Sequence, residues 1–151
     1  ATCIAWHGRL DTASSAGSAL LAEGSDTGHV LVWDAQRAEL LHGLRIHNQS
    51  VNDLLFDRAG KLLFSCAEDK QVCCCNSQTG ELLQAYKTGA VAVQRLALSS
   101  DERYVLLAGT TIKLLKRDKW KRISRLPGHA ESVRCLAFMS RNFQCKPSDM
   151  I

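Results

Sequence analysis

HNQSVNDLLFDRAGKLLFSCAEDKQVCCCNSQTGELLQAYK, residues 47–87, reads as four short strands joined by turns. Ser50–Phe56 is the first, Lys61–Ala67 the second, Lys70–Cys75 the third and Glu81–Lys87 the fourth. Gly60 and Gly80 punctuate the hairpins, since glycine enters turn conformations that other residues avoid. The two middle segments are apolar at consecutive positions. That pattern fits strands covered on both faces.

Working outward, the same pattern returns. One aliphatic residue, any residue and a bulky apolar residue recur as Leu54-Leu55-Phe56, Leu96-Ala97-Leu98 and Leu136-Ala137-Phe138, at steps of 42 and 40. Ile4-Ala5-Trp6 is an earlier copy, 50 residues upstream. Trp33, Cys75 and Leu115 each end a short apolar segment at the same two steps. The turn signals Asp57-Arg58-Ala59-Gly60 and Ser99-Ser100-Asp101-Glu102 lie 42 apart, and His47 and His129 lie 82 apart, about two periods. Independent markers that share one period indicate a repeat architecture.

Four strands in about 40–45 residues, with Gly128-His129 as a start and Trp33-Asp34 as an end, resemble the WD repeat. Asp69-Lys70-Gln71-Val72 through Thr79-Gly80 resembles its third strand and following turn. The likeness covers nearly residues 1–138 and implies a β-propeller, commonly of seven blades, that serves as an interaction platform. The expected fold is all-β: about three four-stranded blades plus the first strand of a fourth. The blades are placed at 1–44, 45–87 and 88–126, with 127–138 opening the next and 139–151 a divergent strand or tail. The start at Ala1-Thr2-Cys3 is neither a Met start nor a signal peptide and suggests an excerpt of a longer protein.

A narrower likeness concerns LFSCAEDKQV (63–72), AGTTIKLL (108–115) and RLPGHAESVRCLAF (125–138). These are similar to central blades of the nucleolar WD-repeat subunits of the small-subunit processome, the short turn in 108–114 above all. The resemblance implies a non-catalytic scaffold in ribosome biogenesis and pre-rRNA processing, located in the nucleus and nucleolus. Other protein subunits of a large assembly are its implied partners, together with pre-ribosomal RNA. The alternative is a generic WD-repeat adaptor in the cytoplasm, such as a ubiquitin-ligase substrate receptor or signalling scaffold. The sequence departs from the pattern where Cys75 and Leu115 stand in place of Trp, and where Glu23 stands in place of Ser or Thr.

Composition sets further bounds. No run approaches the roughly 18 apolar residues of a membrane helix, so no membrane partner is expected. The seven cysteines are odd in number, three are consecutive, and no CxxC occurs. Neither a disulfide framework nor a zinc site follows; reduced, mostly buried thiols do. In a strand, Cys73 and Cys75 face one way and Cys74 the other. His7, His29 and His42 lack partners at ligand spacing, and no Gly-rich phosphate loop is present. Neither cofactor, metal nor small-molecule substrate is expected. Trp6 and Trp33, on apolar strands, read as core residues.

Charge is uneven. Residues 1–60 carry four Lys/Arg against seven Asp/Glu, whereas 113–151 carry ten against three. The basic stretch 113–125 supplies Lys116, Arg117, Lys119, Lys121, Arg122 and Arg125 as residues for contact with RNA phosphates or an acidic partner. Four readings compete for this stretch: an RNA surface with Trp120 stacking on a base, a nuclear-import signal, an amphipathic helix with Trp120, Ile123 and Leu126 on one side, and a solvated hairpin.

His47, Ser65 and Asp69 carry the side chains of a hydrolase triad. Their chain order, His–Ser–Asp, matches none of the three known orders, and no GxSxG elbow accompanies Ser65. In the WD pattern these positions form a structural hydrogen-bond network, so the expectation is a structural role and no enzyme activity.

Overall fold

The computed structural model describes residues 1–8, 19–127 and 129–138. Twelve strands form three four-stranded antiparallel sheets, each in simple up-and-down order. Blade 1 holds β1 (Cys3–His7), β2 (Leu20–Gly24), β3 (His29–Asp34) and β4 (Glu39–Arg45). Blade 2 holds β5 (Val51–Phe56), β6 (Leu62–Ala67), β7 (Gln71–Asn76) and β8 (Leu82–Lys87). Blade 3 holds β9 (Arg95–Leu98), β10 (Tyr104–Ala108), β11 (Ile112–Lys116) and β12 (Lys121–Leu126). The fold is all-β, a partial β-propeller, and each blade 2 strand starts one residue later than the sequence pattern suggests.

The innermost strand β5 packs against both β1 and β9, so consecutive blades stack face to face. Alternation divides the side chains between the two interfaces. Leu54, Phe56, Leu63 and Cys75 of blade 2 meet Leu20, Ala22, Val30 and Val32 of blade 1. Phe64, Cys66, Val72 and Cys74 meet Leu96, Val105, Leu107 and Leu115 of blade 3. Being covered on both faces makes β6 and β7 almost wholly buried, which explains their continuous apolar runs.

Gly28 shows how tightly the loops pack. It has φ +89°, and a Cβ there would sit 2.3 Å from the carbonyl oxygen of His47. Only glycine satisfies both the backbone angle and the close approach.

Each outer strand carries a β-bulge at the same place. The register of β4 shifts opposite Val32/Trp33, that of β8 opposite Cys74/Cys75, and that of β12 opposite Leu114/Leu115. Leu41, Leu83 and Ile123 are the extra residues. A bulge inserts one residue without a partner and reverses the facing of everything beyond it.

One expectation changes. Trp6 is 46% exposed and Ile4 63%, because they lie on the face of blade 1 turned away from blade 2. Trp33, on the same face, is half-buried. Residues 129–138 run beside blade 3 without a strand ladder: Val133 N–H donates to Gly109 O at 3.0 Å, and Arg95 Nε donates to Arg134 O at 2.9 Å. Gly128 and residues 139–151 lie outside the described residues.

Candidate functional site

The two ends of the blade 2–blade 3 region differ in chemistry. At the first, the loop before β5 brings His47 over β6, and the β6–β7 turn brings Asp69 beside it. His47 Nδ1 lies 3.1 and 3.0 Å from the two Asp69 carboxylate oxygens, and Nε2 lies 2.8 Å from Ser65 Oγ. A carboxylate only accepts, so Nδ1–H donates to Asp69 and Nε2 accepts the Ser65 hydroxyl proton. Burial pushes the His47 imidazole below the usual histidine value, against the opposing pull of Asp69. It is therefore held neutral at neutral pH.

Asp69 also accepts from the backbone N–H groups of Asn48 and Gln71, at 3.0 and 3.1 Å. The trio thus fastens the β4–β5 loop to β6 and to the β6–β7 turn. Ser65 is 0% exposed and His47 1%. A nucleophile must meet its substrate, and Ser65 Oγ is sealed beneath the imidazole. Cys75, at the position where the repeat pattern favours Trp, is also sealed; its thiol donates to Leu63 O at 3.6 Å.

The thiols are arranged for packing. Cys73 and Cys75 lie on the blade 1 side, with Cys73 Sγ 3.8 Å from Ile46 O, and Cys74 lies on the blade 3 side. Burial pushes Cys73 and Cys75 up to about 12 and Cys74 up to about 11, so all three are protonated thiols at neutral pH. Cys66 is buried too, Cys3 is half-buried and Cys135 exposed; Cys145 lies outside the described residues. Among the described residues no group of three or more His, Cys, Asp or Glu is placed to hold a metal ion.

The basic stretch forms the β11–β12 hairpin, which corrects the amphipathic-helix reading. Trp120 is not available to a base. It is 7% exposed, stacked on Tyr86 at 5.8 Å between ring centroids and tilted against Phe64 at 6.2 Å. Its φ is +49°, and it stands in the β11–β12 turn at the position where blade 2 has Gly80. Ile123 and Leu126, by contrast, are 53% and 51% exposed.

The six basic residues do not form one surface. Lys116 pairs with Asp118 at 3.6 Å, and Arg117 with Glu102 at 3.5 Å, near the β11–β12 turn. Lys119 and Lys121 are exposed at the same end. Arg122 and Arg125 instead line a cleft of about 260 Å³ between blades 2 and 3. The bulge at Ile123 is the cause. Arg122 pairs with Leu115 and Arg125 with Lys113, so residues three apart share one sheet face.

Lys113 is the residue that sequence reasoning left out of the candidate set. Its Nζ donates to Thr88 O, and its alkyl stem is half-buried in the cleft wall. Burial, then the Arg125 and Arg122 guanidiniums, push Lys113 below the usual lysine value. The cleft occupies the place that the polar trio fills in blade 2. Stepping 42 residues from His47 and Ser65 gives Gly89 and Leu107, and both line the cleft. That substitution is visible in the sequence, but the pairing of Lys113 with Arg125 requires the bulge.

Residues 38–76 match the family described as WD domain, G-beta repeat. WD repeat-containing protein 43 of Homo sapiens is 32% identical over 122 residues, which cover 79% of this chain and 18% of that protein. Eukaryotic translation initiation factor 3 subunit I of Dictyostelium discoideum is 36% identical over 70 residues, 46% of this chain and 21% of the factor. Apoptotic protease-activating factor 1 of Homo sapiens is 33% identical over 98 residues, 60% of this chain and 8% of that protein. The chain thus spans about a fifth or less of each of these three relatives.

Proposed function

The three blades and the matched repeat make this chain a member of the WD-repeat β-propellers, and from that premise we propose that it is a non-catalytic scaffold in assembly of the small ribosomal subunit, acting in the nucleolus. The observation that carries the reading is the likeness of 63–72, 108–115 and 125–138 to nucleolar processome subunits. The similarity to WD repeat-containing protein 43 across 79% of the chain supports it. The basic hairpin end adds a physical reason. Ribosome assembly sets proteins beside a dense polyphosphate, and exposed Lys119 and Lys121, with Lys116 beside them, offer charge without sequence readout. The buried state of Ser65 supports a structural rather than catalytic trio.

A cytoplasmic adaptor is the second reading. The similarity to a translation initiation factor subunit over 46% of the chain favours it. In that case the same blades hold protein partners outside the nucleolus.

The test replaces Lys116, Lys119 and Lys121 with Glu in the intact protein. These rim charges contribute little to stability, so the melting temperature should hold. Co-sedimentation with pre-ribosomal particles should weaken, most visibly as salt is raised. An unmodified protein that enters neither the nucleolus nor those particles leaves the adaptor reading in its place. A modified protein that behaves as the unmodified one removes the hairpin end from the interface.

A further inference from the structure

The cleft between blades 2 and 3 has a composition that folding alone does not account for. Lys113 and Arg125 are direct cross-strand partners, and like charges placed so are destabilising. Arg122 joins them on the same face through the bulge. None of the three has an ion-pair partner among the described residues, although Lys116 and Arg117 nearby both do. Blades 1 and 2 have Leu31, Gly43 and Leu40, and Cys73, Ala85 and Leu82, at these three positions. Three cations therefore stand where the repeat otherwise places uncharged side chains.

The surroundings suit an oxyanion. Gly109 keeps the β10–β11 turn close to the chain before β9, since a Cβ there would lie 2.4 Å from Ala92 O. The Thr111 residue lines the same cleft. Lys113 spends one donor on Thr88 O, which fixes its stem and leaves two N–H groups for a ligand. Guanidinium forks match the oxygen spacing of phosphate in bidentate fashion.

We propose that this cleft is a binding site for a phosphoryl group on a serine or threonine side chain of a protein partner, held by Lys113, Arg122 and Arg125. A phosphomonoester carries about −1.5 to −2 charge at neutral pH, which three converging cations match better than they match a single carboxylate. A polynucleotide fits less well. Single-stranded binding relies on aromatic platforms, and Trp120 and Tyr86 are stacked on each other away from the cleft. Val91, 43% exposed at the edge, offers an apolar contact to the residue beside the phosphate. This site is separate from the Lys116, Lys119 and Lys121 rim, and it stands whether or not the ribosome-assembly reading does.

The experiment immobilises the intact protein and compares two degenerate peptide pools of identical composition, one with phosphoserine or phosphothreonine at its centre and one without. Inorganic phosphate and a 12-nucleotide oligouridine serve as competitors. The phosphorylated pool should be retained selectively and released by inorganic phosphate. Arg125→Gln and Arg122→Gln should each lower retention by about tenfold, and Lys119→Gln with Lys121→Gln should leave it unchanged. Arg125→Gln removes a like-charge pair, so the ligand-free protein should melt no lower than the unmodified one. If Arg125→Gln fails to fold, Arg122→Gln and Arg125→Lys carry the test: the first should weaken retention and the second preserve part of it. Equal retention of both pools overturns the proposal. So does oligouridine binding that requires Arg125 while neither peptide pool is held, which identifies a phosphodiester site. Undiminished retention by Arg122→Gln also overturns it.

Discussion

Blades 2 and 3 share strand order, hairpin lengths within two residues and a bulge on the outer strand, yet they are held by different means. Blade 2 fastens its entry loop with the His47, Ser65 and Asp69 hydrogen bonds. In blade 3 the equivalent place is an open cleft. Its outer hairpin is anchored from the opposite end, by Trp120 laid against Tyr86 and Phe64. Blade 3 thus lacks the polar fastener of blade 2 and carries an aromatic anchor that blade 2, with Gly80 at the same position, does not. The vacated position is the cleft lined by Lys113, Arg122 and Arg125.

The sharpest way to break this comparison is to remove the anchor. Trp120→Ala should destabilise the protein by roughly 3–5 kcal/mol, as for other large-to-small aromatic losses in a core. Denaturant titration measures it. A loss below about 1 kcal/mol would mean that Trp120 does not hold blade 3.

A smaller effect is expected from the fastener. Asp69→Ala should cost about 1–3 kcal/mol by leaving the buried imidazole without its acceptor. The pH dependence has a definite sign. The folded-state value of His47 is depressed by burial, so its contribution to stability is present above the unfolded value of about 6.5 and is lost as pH falls through the folded value. Melting temperature measured from pH 7.5 downward should decline below about 6.5, and His47→Gln should flatten that decline. An unchanged decline would assign it to other groups.

The smallest effect sharpens the account of Trp120 itself. Its φ of +49° is a left-handed conformation that blade 2 gives to Gly80 at +73°. Trp120→Gly loses the same ring as Trp120→Ala but relieves the backbone. The glycine variant should therefore be the more stable of the two by about 1 kcal/mol. If alanine is the better replacement, the turn carries no strain worth relieving.

Much of this fold was legible because burial on two faces writes itself into composition. The runs Lys61–Ala67 and Lys70–Cys75 read as covered strands, and β6 and β7, which they form, are almost wholly buried. The recurrence of Leu54, Leu96 and Leu136 marked the repeat without reference to any contact. Of the four readings of the basic stretch, base stacking by Trp120 fails for a physical reason: the residue sits among lysines and arginines, where local charge suggests exposure, while its ring packs inward on Tyr86 and Phe64. Trp6 was misread in the opposite sense. Alternation puts it on an apolar face, and only the order of the blades shows that this face is turned from blade 2. The cleft was half legible. Gly89 and Leu107 announce the missing trio, but the grouping of Lys113, Arg122 and Arg125 depends on a register shift that leaves no mark in composition.

That shift has a wider consequence. In a regular strand, side chains act together at even spacings. Across each bulge the partners are three apart: Leu40 and Gly43, Leu82 and Ala85, Arg122 and Arg125. Each outer strand thus has a helix-like spacing written into a sheet at one point. A pair of substitutions separated by three residues there will move together, while neighbours two apart across the bulge will not. For anyone altering the specificity of such a blade, the coupled unit is a tripeptide step on the rim, and the rest of the strand can be left as it stands.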